Sequence, residues 1–316
     1  MSQADSLIIR PMEARDAEAA DRVHRLAFGT FFGLPDPSKF RGDAEVVRTR
    51  LRADPATAVV ADLDGEVVAS GLGMDWGSVF IVGPITVRPD LWSRGIARTL
   101  MAAMDELIAA RPVTLAALFT HPASTRHIRL YESFGYTTQF LTAVMSKPVE
   151  ASKRAVVPHD LYSSLSPAAQ TAALAGCRRV SKAVYRRLDL GREIQAAAAQ
   201  GIGETVLLHS DGEIGGFAVC HAGAGSEAGS KRLFVKFACV RPGAADDFER
   251  LLDACEALAA AKGAERIIAG TNAGRRVAYQ TMQRRGYRAD MNGLAMHRPD
   301  QPGYNRPDVF AIDDWR

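Results

Sequence analysis

The sequence predicts a mixed α/β chain built as two repeats of related plan, and three pairs of landmarks carry that reading. The string DGEVVASG from Asp64 is echoed by DGEIGGFA from Asp211, Val87-Arg88-Pro89 by Val240-Arg241-Pro242, and Gly135-Tyr136 by Gly286-Tyr287. The separations are 147, 153 and 151 residues, a drift small enough for insertions and deletions in surface loops. A length of 316 residues allows two domains of ordinary size. We place the boundary near Glu150, giving domains 1–149 and 150–316.

The elements follow in order. In each copy Asp-Gly supplies a hairpin turn before an apolar strand. A second strand then ends at Arg-Pro, because proline cannot continue a sheet ladder. That strand is Val79–Val87 in the first copy and Leu233–Val240 in the second. A helix from about Gly95 to Ala110 comes next, with Ile96, Leu100, Ala103, Met104 and Leu107 on one face. Arg111-Pro112 ends it, and its counterpart spans Asp247–Ala261. A further strand follows, Val113–Phe119 or Arg266–Ala269. The last helix passes through Tyr131 or Tyr279 and stops at Gly135 or Gly286, a natural C-terminal cap. Lys147 to Pro167, with three prolines, reads as the linker.

Composition narrows the function. The chain is 47% apolar and 24% charged, and its net charge of +3 comes from 39 basic and 36 acidic residues. That balance argues against nucleic acid and anionic membranes as partners, which favour a concentrated basic face. No run approaches the roughly 18 consecutive apolar residues of a membrane span, and the start MSQADSLIIRP does not read as a signal peptide. Cys177, Cys220, Cys239 and Cys255 form no CxxC pair, and no His/Cys cluster has zinc spacing. Reduced, buried thiols in a cytoplasmic protein without a metal are the expectation.

The informative segment is VRPDLWSRGIAR, Val87 to Arg98. A strand ends, a polar loop turns, and glycine opens a helix whose first N–H groups lack intrahelical partners. Such a helix start suits an anion, above all a phosphate. Gly95 and Ala97 would let a ligand approach the backbone, and Arg94 and Arg98 add charge. An ordinary βα turn would look similar. A dinucleotide-binding fold is rejected, because Leu100 stands where its third glycine belongs and the next strand ends at Thr120-His121 without an acid.

Arg94-Gly95-Ile96-Ala97 resembles the second half of the pyrophosphate loop of the GNAT acetyltransferases, Gln/Arg-x-x-Gly-x-Gly/Ala, with Trp92 at the usual Gln/Arg position. Ser124 to Tyr136 is similar to that family's closing helix, matched at Leu130, Tyr131, Gly135 and Tyr136. The resemblance covers roughly residues 7 to 147. It implies two tandem GNAT-like domains in the α/β (α+β) class, each a mixed twisted sheet with splayed central strands flanked by helices. It also implies acetyl-CoA as co-substrate. Backbone groups of Ile85, Thr86 and Val87 would pair with the pantetheine arm as an added strand does. The loop Trp92, Ser93, Arg94, Gly95, Ile96, Ala97 and Arg98 would hold the pyrophosphate, and Ser124 stands where the family often has asparagine. Tyr131 is the expected general acid, giving a proton to the departing thiolate; its alternative is a packing residue. Asp75, His121, His127 or a water chain could serve as base, and none is singled out.

Ala27 to Asp43 covers the acceptor in the resemblance. Its Phe28, Phe31, Phe32 and Phe40 form either a local packing cluster or an aromatic acceptor wall, and Phe28, Phe31 and Phe32 are the candidate substrate contacts. In the second copy Asp247 stands for Arg94, Phe248 for Gly95, Arg250 for Ala97, Met282 for Tyr131 and Arg275 for Ser124. Carboxylates repel a phosphate, so that copy is expected to lack its own cofactor site. Completing the acceptor pocket, stabilising the first copy and forming a homodimer are the roles open to it. The tail from Arg298 either docks across the first copy or is an ordinary ordered end. The function expected from the resemblance is N-acetylation of a primary amine on a small molecule or peptide. The alternative is a non-catalytic acyl-CoA-binding sensor, and a structural pair without ligand comes third.

Overall fold

The computed structural model describes residues 7–150 and 158–316, so the expected boundary at Glu150 abuts residues outside the described ones. In the first copy, β1 (Leu7–Pro11) precedes α1 (Ala17–Phe31) and α2 (Val46–Ala53). Then come β2 (Ala58–Leu63), β3 (Glu66–Trp76), β4 (Val79–Val87), α3 (Ile96–Ala109), β5 (Leu115–Thr120), α4 (Thr125–Glu132) and β6 (Thr137–Pro148). The second copy has β7 (His159–Leu161), α5 (Pro167–Val184), α6 (Gly191–Gln200), β8 (Gly203–Ser210), β9 (Glu213–Gly223) and β10 (Gly229–Val240). It continues with α7 (Ala245–Ala261), β11 (Arg266–Asn272), α8 (Arg276–Arg284), β12 (Arg288–Arg298) and β13 (Ala311–Ile312).

Local chemistry explains much of this. Asp64 and Gly65 both take positive φ, 53° and 89°, as do Asp211 and Gly212 at 52° and 77°. These are the two-residue hairpin turns whose twist matches the flanking strands. Along β2 the burial alternates with the strand period: Ala58 and Val60 pack with α1 and α2, while Val59 and Ala61 pack with α3. Both faces of the sheet are therefore covered. The acceptor-covering segment expected from Ala27 to Asp43 begins inside α1, which runs through Phe31, so Ala27 to Phe31 is helical. Gly29 lets the segment after the helix fold back onto α1, since a Cβ there would lie 2.3 Å from the Pro37 carbonyl oxygen.

The strands form one sheet in the order β1-β2-β3-β4-β5-β12-β6-β11-β10-β9-β8-β7, with β13 paired to β10. The repeats thus exchange their last long strands: β12 lies against β5, and β6 against β11. Register preserves the repeat. Thr120 pairs with Leu294 and Thr271 with Ala143, so each residue and its counterpart 151 positions away meet equivalent partners. The main core straddles the copies, joining Met74, Trp76, Val79 and Ile81 to Phe217, Phe237, Tyr304 and Trp315. A buried charge network crosses the same seam. Glu227 meets Arg50 at 2.8 Å and Lys236 at 2.7 Å, Lys236 meets Glu193 at 2.9 Å, and Glu193 accepts from the Trp76 indole at 3.0 Å. Breaking such a buried pair is costly, about 3–5 kcal/mol, so the halves are coupled.

Candidate functional site

The site starts where β4 and β5 part. Their parallel pairing ends at Val82–Leu118. Beyond it Ile85, Thr86 and Val87 pair only with β3, at Gly71, Ser70 and Ala69. Their other edge opens into a cavity of about 550 Å³, a size that suits small-molecule ligands. Ile85, Thr86 and Val87 all line it.

The loop after β4 closes one end. Gly95 is the N-cap of α3 with φ 85°, and a Cβ there would meet nothing within 4 Å, so conformation rather than crowding requires glycine. Ser93 also has positive φ, 67°. Among the described residues, the N–H groups of Ser93 to Ala97 donate to no protein acceptor. They crown the positive end of α3, an arrangement that binds anions. Trp92, Ser93, Gly95, Ile96, Ala97 and Arg98 line the cavity, whereas Arg94 is exposed and does not.

Trp92 donates its indole N–H to the Val87 carbonyl at 2.7 Å, tying the loop to the strand end. Arg126, from the first turn of α4, lies over the Trp92 ring at 5.5 Å and reaches Ser93 Oγ at 3.4 Å. The cation that a Gln/Arg position would offer is thereby supplied from another element. Sequence reasoning missed Arg126; the only signal was a basic residue early in the closing helix.

Tyr131 lines the same cavity from α4, and its hydroxyl has no protein partner among the described residues. Burial pushes its phenol up to about 12, so it stays protonated near neutral pH. Gly135, φ 80°, ends the helix segment, and the Tyr136 N–H reaches back to the Tyr131 carbonyl. Ser124 is the N-cap of α4 and does not line the cavity, so the structure does not bring it to the site.

At the other end Phe28, Phe31, Phe32 and Phe40 all line the cavity. Phe40 stacks on Phe28 at 5.4 Å and on Phe32 at 5.8 Å, while Phe31 contacts the rings of His121 and His127. The cluster is thus both packed and facing the cavity. His121 and His127 line it too, and burial, with Arg126 nearby, holds His127 below the usual imidazole range. Asp75 is removed from contention as a base: it pairs with Arg111 at 3.4 Å and accepts from the Gly77 N–H, away from the cavity. The second copy completes the wall with Arg232, Ile268, Met291, Trp315 and Arg316.

The second copy's own cleft is filled by the chain itself. Its strands β10 and β11 part after Val235–Ala269, the counterpart of Val82–Leu118. There β13 adds to the open edge, Ala238 pairing with Ile312 and Cys239 with Ala311. Phe310 packs on Phe248, the residue in place of Gly95, at 5.5 Å. Arg275, in place of Ser124, is fully buried and donates to Asn305, to the Ala311 carbonyl and to Asp313 at 2.8 Å. The tail beyond these residues then enters the first copy's cavity through Trp315 and Arg316. It therefore reaches the first copy, as one of the two expectations had it, and also fills the second copy's cleft, which neither anticipated. All four cysteines are buried and free, and no group of metal-ligating side chains occurs among the described residues. No described helix is long and apolar enough to cross a membrane.

Comparison with known proteins agrees with this geometry. A model of the acetyltransferase (GNAT) family matches residues 21–136. A curated acetyltransferase of Pectobacterium atrosepticum is 30% identical over 95 residues, 29% of this chain; the chain spans 65% of that relative's length. Among solved structures, a provisionally named acetyltransferase of Pyrococcus horikoshii superposes with a TM-score of 0.69 at 16% identity, over 98% of this chain and 95% of that one. A tandem GNAT protein from the clavulanic acid biosynthesis pathway gives 0.54 at 12%, over 92% and 98%. Residues 21–136 thus match the GNAT acetyltransferase family model, and the chain as a whole shares its fold with a tandem GNAT protein.

Proposed function

We propose that the chain is an acetyl-CoA-dependent N-acetyltransferase with one active site, in the first copy, acting on the primary amine of a small molecule or peptide by direct attack. The observation that carries this reading is one continuous cavity joining the unpaired β4 edge, the open start of α3 and the Tyr131 hydroxyl. Acetyl-CoA fits these features by chemistry. Five free N–H groups, Arg98 and Arg126 would hold its pyrophosphate, and the Ile85–Val87 edge its pantetheine arm. Bound there, it would supply the activated acetyl group.

The protein's part is to orient, exclude water and move protons. The phenylalanine wall would shield the reacting centre, as a dry site strengthens each polar contact inside it. Tyr131 would give its hydroxyl proton to the departing thiolate, and the elevated pKa keeps that proton available. His121 and His127 face the same space, and a neutral His127 can take up the proton an acceptor ammonium must lose. Tyr131 lines the cavity with a hydroxyl that has no partner among the described residues, which favours turnover over a sensor that only binds acyl-CoA.

Calorimetric titration of acetyl-CoA tests the reading. One site per chain is expected, lost in Gly95→Leu while circular dichroism shows the fold intact. Two sites would show that the tail leaves the second cleft; no binding would remove the proposal.

A further inference from the structure

We propose that the acceptor is an amine that also carries a carboxylate on an apolar or aromatic body, with the carboxylate held at Arg41. This rests on the acyl-transfer reading above and adds the substrate class. The first observation is the charge of the wall. The described residues that line the cavity include five arginines and no aspartate or glutamate. Arg98 and Arg126 belong to the α3 end. Arg41 and Arg316 lie close enough to perturb one another at the opposite end, and Arg232 is close to Asp43 of that same segment.

The second observation is that, among the described residues, none forms an ion pair with Arg41. Its described contact is a hydrogen bond to the Glu227 carbonyl oxygen at 2.9 Å. The nearby carboxylates are already engaged, Glu227 with Arg50 and Lys236, and Asp314 with Arg316. Burial, then the adjacent Arg316, lowers the Arg41 guanidinium to about 10, as expected of a half-buried cation beside like charges. A guanidinium in that position is matched by a carboxylate, which it can engage through two parallel hydrogen bonds.

A third observation points to a ligand independently. His24 is 5% exposed, lines the cavity, and neither ring nitrogen has a partner among the described residues. Burial, then the neighbouring Arg41, holds it at about 3, so it is neutral and offers one donor and one acceptor. Buried polar groups are ordinarily satisfied; here a bound molecule would satisfy them. Phe28 and Phe40 flank His24 at 5.0 and 5.9 Å and offer faces to an apolar body. The same wall opposes polyamines and lysine-rich peptides, whose extra positive charges would meet arginines.

The test compares matched acceptors with the full chain, following CoA release: L-phenylalanine and L-leucine, their amides, phenethylamine and spermidine. The free acids should exceed the amides at least tenfold in kcat/KM, mainly through KM. Arg41→Gln should cut that preference tenfold or more, Arg41→Lys should restore part of it, and Arg232→Gln, at an exposed side chain, should cut it about threefold. Equal or better turnover of the amides or spermidine, or a preference untouched by Arg41→Gln, overturns the proposal. If acetyl-CoA binds but no acceptor releases CoA, the acyl-transfer reading fails separately. Calorimetry with N-acetyl-L-phenylalanine and its amide then decides the pocket chemistry: tighter binding of the acid, lost in Arg41→Gln, sustains it, and equal or absent binding overturns it.

Discussion

Replacing Tyr131 with phenylalanine separates the chemistry of the site from its architecture. The substitution keeps the ring, which packs edge-on to Tyr136 at 6.4 Å between centroids, and removes only the hydroxyl. That hydroxyl bonds to no described residue, so no intramolecular hydrogen bond is lost and stability should change by less than about 0.5 kcal/mol. A positioned acid contributes about 10²–10⁴-fold to rate, or roughly 3–5 kcal/mol of barrier. The expected result is therefore a fall of that size in kcat with acetyl-CoA affinity unchanged within about threefold. Because burial raises the phenol to about 12, the parent chain should show no alkaline loss of activity from this group below about pH 10. Tyr136→Phe is the paired control. Its buried hydroxyl also has no described partner, so removal should leave stability equal or about 1 kcal/mol higher, with kcat retained. A thiol-trapping assay of CoA release, with calorimetry for binding, reads all of these. A Tyr131→Phe kcat within threefold of the parent would refute the assignment, and so would equal losses in the two variants.

Two further outcomes follow from named contacts. Arg275→Met removes the anchor of the tail and strands the buried Asp313 carboxylate, so unfolding stability should fall by about 3–5 kcal/mol, about 1 M or more in urea midpoint. Burial already raises the Asp313 pKa in the fold; the folded chain takes up that proton more readily than the unfolded one, so the loss should shrink as pH drops from 8 to 5, whereas a small, pH-independent loss would contradict the buried pair. Arg126→Gln should weaken acetyl-CoA binding about fivefold, near 1 kcal/mol for an exposed cation–phosphate contact, with the gap closing at high salt; calorimetry at two ionic strengths checks it, and unchanged affinity would place the phosphates away from Trp92.

The sequence by itself determined the elements whose signals are local. The Asp-Gly turns, the strand Val79–Val87 and the helix opened by Gly95 depend on backbone preferences and period, which neighbouring residues carry. The closing helix with Tyr131 was legible for the same reason, and so was the substitution of every phosphate-loop residue in the second copy. What tertiary structure decided rests on partners far away in the chain. Nothing in the alternation of β6 or β12 says that each completes the other repeat's sheet, because any apolar strand of the right length satisfies the same pattern. The tail residues Ala311 and Ile312 become a strand only because β10 and β11 part beside them. Arg94 looked like the phosphate ligand because it adjoins Gly95, yet Arg126 reaches the loop across space from α4. Arg41 and His24 are ordinary residues until folding sets one, half-buried, beside other cations and leaves the other without a partner among the described residues. Desolvation and charge proximity are properties of the assembled cavity, and a single sequence does not encode them locally.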